Sequence, residues 1–455
     1  MSDLTNPVNL GNVLALLSAN DTATVKKGEK QLKPFLKQPA CAHHLLNQIQ
    51  NSQNVSVRHH AALILKKKLV VFYPKFNKQH RAEMKIHLLN LMVSEPEKAV
   101  RTAIAGAVAT LAKGVFTHNE EWPELFAALL RMSQDPNEGL RTLNFDLLAQ
   151  LAEQVATQLK PHVTTLAQMF VMGCQDSSAT VMESALSATS SLIKEIGREP
   201  EVMALQCVIN PMLAVMNTCL QNGSEDAVIE GMDVIQEAIL LEQPLVNDHL
   251  EVIVQFSLGI LQSKEYESGV KQSAGQTLIN VIEFRPKLMA KKNLVGPVLA
   301  TLMEMIAKQD SSAAGSLFSF NAREGVLGGD DDEEDEDEPE MDVQRLAQTT
   351  IDCMAINIPS KYFIDPALTL CAQGMSSPDS HMRKAGCAVL GVIAEGCSDR
   401  IRESLDSILP RLLQLVQDPE FYVRECACFA LGQFSEHCQP DILHYNETVL
   451  PVIFQ

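Results

Sequence analysis

Aromatic residues are scarce in this chain of 455 residues. They make up 5% of the sequence and include a single tryptophan. Alternation of β-branched and polar residues is also missing, whereas leucine, alanine, methionine and glutamine are abundant. Strands draw on aromatic and β-branched side chains, and helices on the residue types found here. The composition therefore argues against a β-sheet fold and predicts an all-α protein.

The sequence also lacks a targeting or membrane signal. No basic, apolar and small-residue leader stands at its start, and no uninterrupted apolar run approaches the roughly 18 residues that cross a bilayer. We therefore expect no membrane insertion and a soluble intracellular protein. Eleven cysteines, an odd number without disulfide spacing, predict reduced thiols. Cys426 and Cys428 lack the spacing of a zinc site, so we expect both to pack in the core.

Signatures of catalysis are missing as well. The sequence contains no glycine-rich phosphate loop, nucleophile elbow or zinc spacing. His43 and His44 are neighbours, as are His59 and His60, but adjacent residues on a helix point about 100° apart and cannot chelate one metal. We predict a non-enzyme with no catalytic residue, no cofactor and no metal site.

Basic residues are outnumbered by acidic ones. The chain has 37 lysines and arginines against 56 aspartates and glutamates, a formal net charge of −19. Because phosphate binding requires a basic stripe, we expect no direct nucleic acid ligand. Basic proteins are the natural partners of such a surface.

A repeat of about 40 residues is the most informative feature that is present. Residues 382–391 return 41 residues later as residues 423–432, with Arg383 matched by Arg424. Similar frames are centred on Lys271, Met182, Arg141, Arg101 and Arg58. Periods of this length are typical of HEAT or armadillo repeats. We predict an all-α, right-handed superhelical solenoid of about ten to eleven HEAT repeats.

Each repeat is predicted to contain two helices joined by a turn. First helices are predicted at residues 78–93, 120–132, 162–174, 248–261 and 400–416. Second helices are predicted to begin at acid–proline or similar signals, in which the first side chain caps free N–H groups and proline takes the first helical position. These signals are Glu95-Pro96, Asp135-Pro136, Asp176-Ser177, Ser377-Pro378 and Asp418-Pro419.

The anchor arginines have a structural interpretation. We predict that they bridge neighbouring repeats through hydrogen bonds, as a ladder inside the solenoid, and do not bind a partner. They are Arg58, Arg101, Arg141, Arg383 and Arg424.

An acidic run interrupts the repeat pattern. Its adjacent carboxylates repel one another, and serine and glycine flank them, so we predict a flexible loop at residues 310–340, inserted in the eighth repeat. The loop is either a solvated segment that aids solubility or a flap over the concave face that attracts basic segments. The run consists of Asp330, Asp331, Asp332, Glu333, Glu334, Asp335, Glu336, Asp337 and Glu338.

The last residues repeat an earlier first helix. Residues 450–454 match residues 409–413 at a distance of 41 residues, so the chain stops within a repeat. Because solenoids need a polar capping face, we expect the chain to be the amino-terminal part of a longer protein. The predicted domains are HEAT repeats at 1–309, the acidic loop at 310–340, and further HEAT repeats at 341–455.

Several segments resemble one known family. Residues 28–33 and 57–68 are similar to the amino-terminal domain of the importin-beta (karyopherin-beta) nuclear transport receptors, and residues 121–125 resemble the start of their fourth helix pair. Residues 383–386, 429–436 and 439–440 carry the most specific likeness. The resemblance covers the whole chain, although residues 200–290 follow by pattern more than by recognisable motifs.

The resemblance implies a monomeric receptor that shuttles between cytoplasm and nucleus. It would carry basic cargo through the pore, contact phenylalanine–glycine nucleoporins, and release cargo on binding the GTPase Ran in its GTP form. The branch that the last hundred residues resemble implies histones H3 and H4 and ribosomal proteins as cargo. Alternatives are a HEAT scaffold of a phosphatase or chromatin complex, or a histone chaperone.

Inner helices of the first repeats hold Ran in this family, and its acidic loop lies against Ran or cargo. The resemblance therefore implies an importin-beta N-terminal, Ran-binding region at about residues 24–70. The matching polar residues here are candidates for that contact, although each is equally consistent with an ordinary solvated helix face. They are Lys27, Glu29, Lys30, Lys66 and Lys67.

Overall fold

A computed structural model describes residues 4–308 and 343–454, which are helical without a strand in these two ranges. The contacts divide the chain into two compact units. Unit 1 comprises residues 1–234 and 241–245, and unit 2 comprises residues 235–240 and 246–455. The predicted acidic loop, with its nine adjacent carboxylates, lies outside the described residues.

Unit 1 holds eleven α-helices and most of a twelfth. They are α1 (Pro7–Ala15), α2 (Thr22–Phe35), α3 (Cys41–Asn51), α4 (Val55–Phe72), α5 (Lys78–Ser94), α6 (Lys98–Thr117), α7 (Pro123–Met132), α8 (Glu138–Leu159), α9 (Val163–Cys174), α10 (Ala179–Ile196), α11 (Ile209–Asn222) and α12 (Glu225–Leu240).

Unit 2 takes the last turns of α12 and the remaining helices. They are α13 (Leu250–Gln262), α14 (Ser268–Phe284), α15 (Pro286–Lys291), α16 (Val295–Lys308), α17 (Val343–Asn357), α18 (Ser360–Met375), α19 (Ser380–Val392), α20 (Ser398–Leu415), α21 (Phe421–His437) and α22 (Asn446–Ile453).

The helices are arranged in pairs, as predicted. In unit 1, α4, α6, α8 and α10 form a row in which each packs on the next, and α3, α5, α7 and α9 each pack on one member of that row. In unit 2, α14 packs on α17 and α19 on α21, with α13, α16, α18 and α20 as their partners. The all-α HEAT-type fold is confirmed, whereas the handedness and the number of repeats stay predictions.

Two segments of unit 1 are long and apolar enough to cross a membrane by length and composition alone. They are Lys98–Thr117, which is α6, and Pro200–Asn222, which ends with α11. About two thirds of the most apolar window of α6 is buried, because its alanine-rich surface packs between α4 and α8. A buried core helix meets the same criteria as a membrane span. The packing accounts for the apolar surface of α6 without a bilayer.

An arginine ladder joins successive helix pairs. The guanidinium of Arg141 donates from Nε and Nη2 to Asp176, at 2.7 and 2.9 Å, and from Nη1 to the carbonyl of Asp135 in its own turn. Arg383 holds Asp418 in the same way, and Arg58 holds Glu95. Two parallel N–H···O bonds of this kind are strong and directional. The predicted ladder is confirmed at these three arginines.

The acidic residues that the ladder arginines bind lie further before the next helix than predicted. Asp176 and Asp418 stand three residues before the next helix begins, and their carboxylates accept from the backbone N–H two residues on, at 2.9 and 3.0 Å. The prolines likewise precede the first helical residue by two positions. The prediction that acid and proline begin the helix was wrong, because the acid orders the preceding turn and binds the arginine. Similarly, α7 begins at Pro123 rather than at residue 120.

All eleven cysteines are free, and nine of them are buried. Burial raises the pKa of Cys174 and Cys426 to about 12, which keeps these thiols protonated and unreactive. Cys428 is exposed, so the expectation that it packs in the core was wrong. Residues two apart on a helix face different directions, which explains why only Cys426 is inside.

Candidate functional site

Three of the five residues predicted to bind Ran lie on α2. Lys27, Glu29 and Lys30 are exposed, and none forms an ion pair within the described ranges. The helix packs closely on the segment that follows α1, because Gly28 has no side chain to separate it from Leu16 and Leu17. It packs mainly on α1 and the segment Leu16–Ser18, whereas α1 itself contacts α3 and α4. Therefore α2 takes no comparable part in the row that begins with α4.

The other two candidates, Lys66 and Lys67, lie on α4. Lys67 is exposed, whereas Lys66 is half-buried because its chain lies across α6 at Gly106. A Cβ added at Gly106 would be 3.0 Å from Lys66 Nζ and 3.2 Å from Gln150 Oε1 of α8. The glycine therefore leaves room for polar side chains of α4 and α8 to meet over α6. The structure brings Lys66 to this row but does not bring the α2 residues to it.

A polar cluster supports the end of α4. The Tyr73 hydroxyl donates to Glu120 at 2.6 Å, and Arg81 and Lys85 of α5 bind the same carboxylate. The Arg81 guanidinium also lies 4.8 Å from the Tyr73 ring centroid. One carboxylate before α7 thus connects α4, α5 and α7. This cluster could not be recognised in the sequence, because Glu120 follows its three partners by 35 to 47 residues and no motif links them.

The cluster makes local stability depend on pH. Burial acts to raise the pKa of Glu120, but hydrogen bonds from Tyr73, Arg81 and Lys85 outweigh it and lower the pKa to about 2. A depressed carboxyl pKa contributes stability above the ordinary value near 4.5, and this contribution is lost as pH falls towards 2. We expect Glu120→Gln to cost about 1 kcal/mol at pH 7 and progressively less below pH 4.5, measured by urea-induced unfolding.

Glu121→Gln is the matched control for this prediction. The Glu121 side chain is exposed, and only its backbone carbonyl takes part in the cluster, accepting from Lys85. We expect no change in stability at either pH. An effect of Glu120→Gln that is equally large at pH 7 and pH 3 would contradict the assignment, since it would not follow the ionisation of that carboxyl.

A cleft opens where the ladder is interrupted. Arg101, on the first turns of α6, was predicted to bridge repeats, but its side chain forms no hydrogen bond or ion pair with any described residue. It lines an opening between α6, α8 and the start of α10, together with Lys98, Glu138 and Asp146. The ladder prediction was therefore wrong at this arginine.

Comparison with known families agrees with the helix-pair architecture. Residues 28–94 match the importin-beta N-terminal domain, and residues 96–256 match importin-5-like TPR repeats. Residues 380–434 match a HEAT-like repeat. The first two matches adjoin and cover about half of the chain between them.

Relatives and solved structures agree with these matches. Importin-4 of Mus musculus is 24% identical over 416 residues, and probable importin subunit beta-4 of Schizosaccharomyces pombe is 25% identical over 399 residues. The alignments cover 90% and 87% of this chain but only 37% and 35% of those proteins. The chain therefore spans little more than a third of the curated relatives it matches.

Kap121p shares the fold over nearly the whole chain. Its structure bound to RanGTP superposes with a TM-score of 0.69 at 23% identity, covering 98% of this chain and 42% of Kap121p. Its structure bound to Ste12p gives a TM-score of 0.74 at 22% identity, with the same coverage.

Paired helices joined by an arginine–carboxylate ladder define a HEAT-repeat protein. With the matched amino-terminal domain and the importin relatives, the chain belongs to the importin-beta family.

Proposed function

We propose that this chain belongs to a nuclear import receptor and contains the surface that binds Ran in its GTP form. The observation that carries the proposal is the importin-beta N-terminal domain at residues 28–94, which includes four of the five candidate Ran-binding residues. The likeness of the fold to RanGTP-bound Kap121p supports it. The role is non-catalytic, in keeping with a family of transport receptors.

Two groups of side chains are candidates for the Ran contact. On α4, Lys66 lies across α6 at Gly106 and Lys67 is exposed, and on α2 the side chains of Lys27, Glu29 and Lys30 are exposed. All five are free of ion pairs with described residues, so binding would not first break an internal bond. A charge that has no internal partner is available to a ligand at little cost in stability.

The proposed cargo is basic protein, with histones H3 and H4 and ribosomal proteins as the first candidates. The net charge of −19 supports this class, and nine adjacent acidic residues at 330–338 concentrate the negative potential. Nup53p, which binds Kap121p, supports nucleoporins as further partners. Passage between cytoplasm and nucleus as a monomer follows from this role.

Binding of Ran in its two nucleotide states tests the proposal. The 455-residue chain is titrated with Ran loaded with a non-hydrolysable GTP analogue or with GDP, and affinity is measured by calorimetry. We expect tight binding of the GTP form only. The double variant Lys66→Glu/Lys67→Glu should weaken binding about tenfold or more, because two charges are reversed at a contact. A second titration measures release of prebound H3–H4 by the GTP form.

Lys291→Glu/Lys292→Glu is the matched control, since these lysines are also neighbours and lie at the end of α15 in unit 2. This pair should leave Ran binding unchanged. Equal binding of both nucleotide states, or of neither, would contradict the receptor proposal and favour a HEAT scaffold. Histone binding that Ran does not reverse would favour a chaperone.

A further inference from the structure

Arg101 differs from the other anchor arginines in both of its expected bonds. Arg58, Arg141, Arg383 and Arg424 each donate from Nη1 to the carbonyl six residues earlier, at 2.7–3.2 Å. The first three also hold a carboxylate of the next helix pair. Arg101 makes neither bond to a described residue, so its guanidinium has five unused donors.

The spacing from arginine to acid varies along the ladder, and Arg58 binds Glu95 across 37 residues. Asp176 and Asp418 follow their arginines by 35 residues, whereas the corresponding Asp135 follows Arg101 by 34. The Asp135 carboxylate accepts from the N–H of Asn137 at 2.8 Å, as Asp176 and Asp418 accept from the N–H two residues on, but unlike them it takes no bond from an arginine of the described ranges. The Arg101 guanidinium lies over α8 instead, where a Cβ added at Gly139 would be 3.2 Å from Nη2.

The cleft beside Arg101 holds two cations that form no ion pair within the described ranges, although the charge of Lys98 acts on Asp146, and two carboxylates that accept hydrogen bonds. Neither Lys98 nor Arg101 forms an ion pair with a described residue. Glu138 accepts from the Thr180 hydroxyl at 2.8 Å, and Asp146 is hydrogen-bonded by Ser184. Neither carboxylate therefore accepts a hydrogen bond from the Arg101 guanidinium, whose N–H groups remain available to a ligand in the cleft.

We infer that this cleft binds the carboxylate of an aspartate or glutamate side chain from a partner protein. A carboxylate would take the two parallel bonds that Arg58, Arg141 and Arg383 make within the chain, and Lys98 would add a second positive charge. Glu138 and Asp146 limit the charge that the cleft tolerates, so a singly charged carboxylate fits better than a doubly charged phosphate. The inference stands independently of Ran binding.

Arginine-detected NMR of the 455-residue chain tests the site directly. The Nε–Hε signal of Arg101, identified by its loss in Arg101→Lys, is followed with the backbone amide of Gly139. The chain is titrated with N-acetyl-glutamate N-methylamide, with the glutamine analogue as a neutral match, and with inorganic phosphate. We expect saturable shifts of both signals with the glutamate compound only, while the Arg58 and Arg141 signals stay in place.

Two variants distinguish the bidentate bonds of the Arg101 guanidinium from the effect of positive charge alone. At the Gly139 amide, Arg101→Lys should weaken glutamate binding about tenfold, because lysine keeps the charge and loses the fork. Lys98→Gln should weaken it about threefold. Equal shifts with the glutamine compound, shifts at Arg58 or Arg141 as large as those at Arg101, no shift at all, or tighter binding of phosphate would each overturn the carboxylate assignment.

Discussion

Arg383→Ala should lower the free energy of unfolding of unit 2 by about 3 kcal/mol, because it leaves a buried carboxylate without its cation. The side chains of Arg383 and Asp418 are only 14% and 6% exposed, and they share two bonds of 2.8 and 3.0 Å. The guanidinium is the main reason that the pKa of Asp418 lies below its usual range. Urea-induced unfolding gives the energy, and hydrogen exchange of α19 and α21 locates the loss.

Arg424→Ala is the control for this substitution. Arg424 donates to the carbonyls of Asp418 and Pro419 in its own turn but holds no carboxylate among the described residues. Its removal should therefore cost about 1 kcal/mol, the value of an ordinary hydrogen bond. In the double-mutant cycle, Arg383→Ala with Asp418→Ala should give a coupling energy of about 2 kcal/mol. Equal losses at Arg383 and Arg424 would show that the carboxylate bonds contribute nothing.

A methyl group at Gly386 should be nearly as damaging. The added Cβ would lie 2.7 Å from the backbone nitrogen of Met375 and 3.0 Å from the carbonyl oxygen of Cys371, both in α18. Backbone atoms of a packed helix cannot move aside as a flexible side chain does, so α18 and α19 must separate. We expect Gly386→Ala to destabilise unit 2 by about 3 kcal/mol, measured by urea-induced unfolding.

The same substitution at Gly432 should have the opposite sign. Gly432 is exposed on α21, and a Cβ there meets no atom within 4 Å. Alanine is the better helix former, so Gly432→Ala should stabilise the protein by up to about 1 kcal/mol. A stabilising Gly386→Ala, or losses of similar size at both glycines, would contradict the close packing of α18 on α19.

Gly391 and Gly432 show what the repeat pattern can and cannot predict. They occupy matching positions of two repeats, yet a Cβ at Gly391 would lie 2.6 Å from the Phe429 ring, whereas one at Gly432 meets open space. The pattern predicts that a helix pair recurs, because apolar spacing and turn residues act locally. The contacts of a particular side chain depend on the helix pair of the next repeat. The sequence of one repeat therefore does not predict them.

The ladder illustrates the same limit. Arg58, Arg141 and Arg383 could be recognised from their spacing, because a carboxylate follows each by 35 or 37 residues. Arg101 was assigned by analogy, although its spacing to Asp135 is shorter. A spacing of 37 residues still permits the bond between Arg58 and Glu95, so the difference of one residue did not predict the loss of the bond at Arg101. The Glu120 cluster left no comparable signal in the sequence.

Each bond of the arginine ladder joins an arginine to an acidic residue of the next helix pair. This arrangement affects which insertions and deletions the chain tolerates. Where both halves of this ion pair are present, as at Arg141 and Arg383, duplication or excision of a whole period leaves the arginine facing an equivalent acid. Adding or losing part of a period separates the two halves and exposes a buried charge. Insertion or deletion of complete repeats therefore preserves these ion pairs, whereas insertion or deletion of part of a repeat breaks them and destabilises the protein.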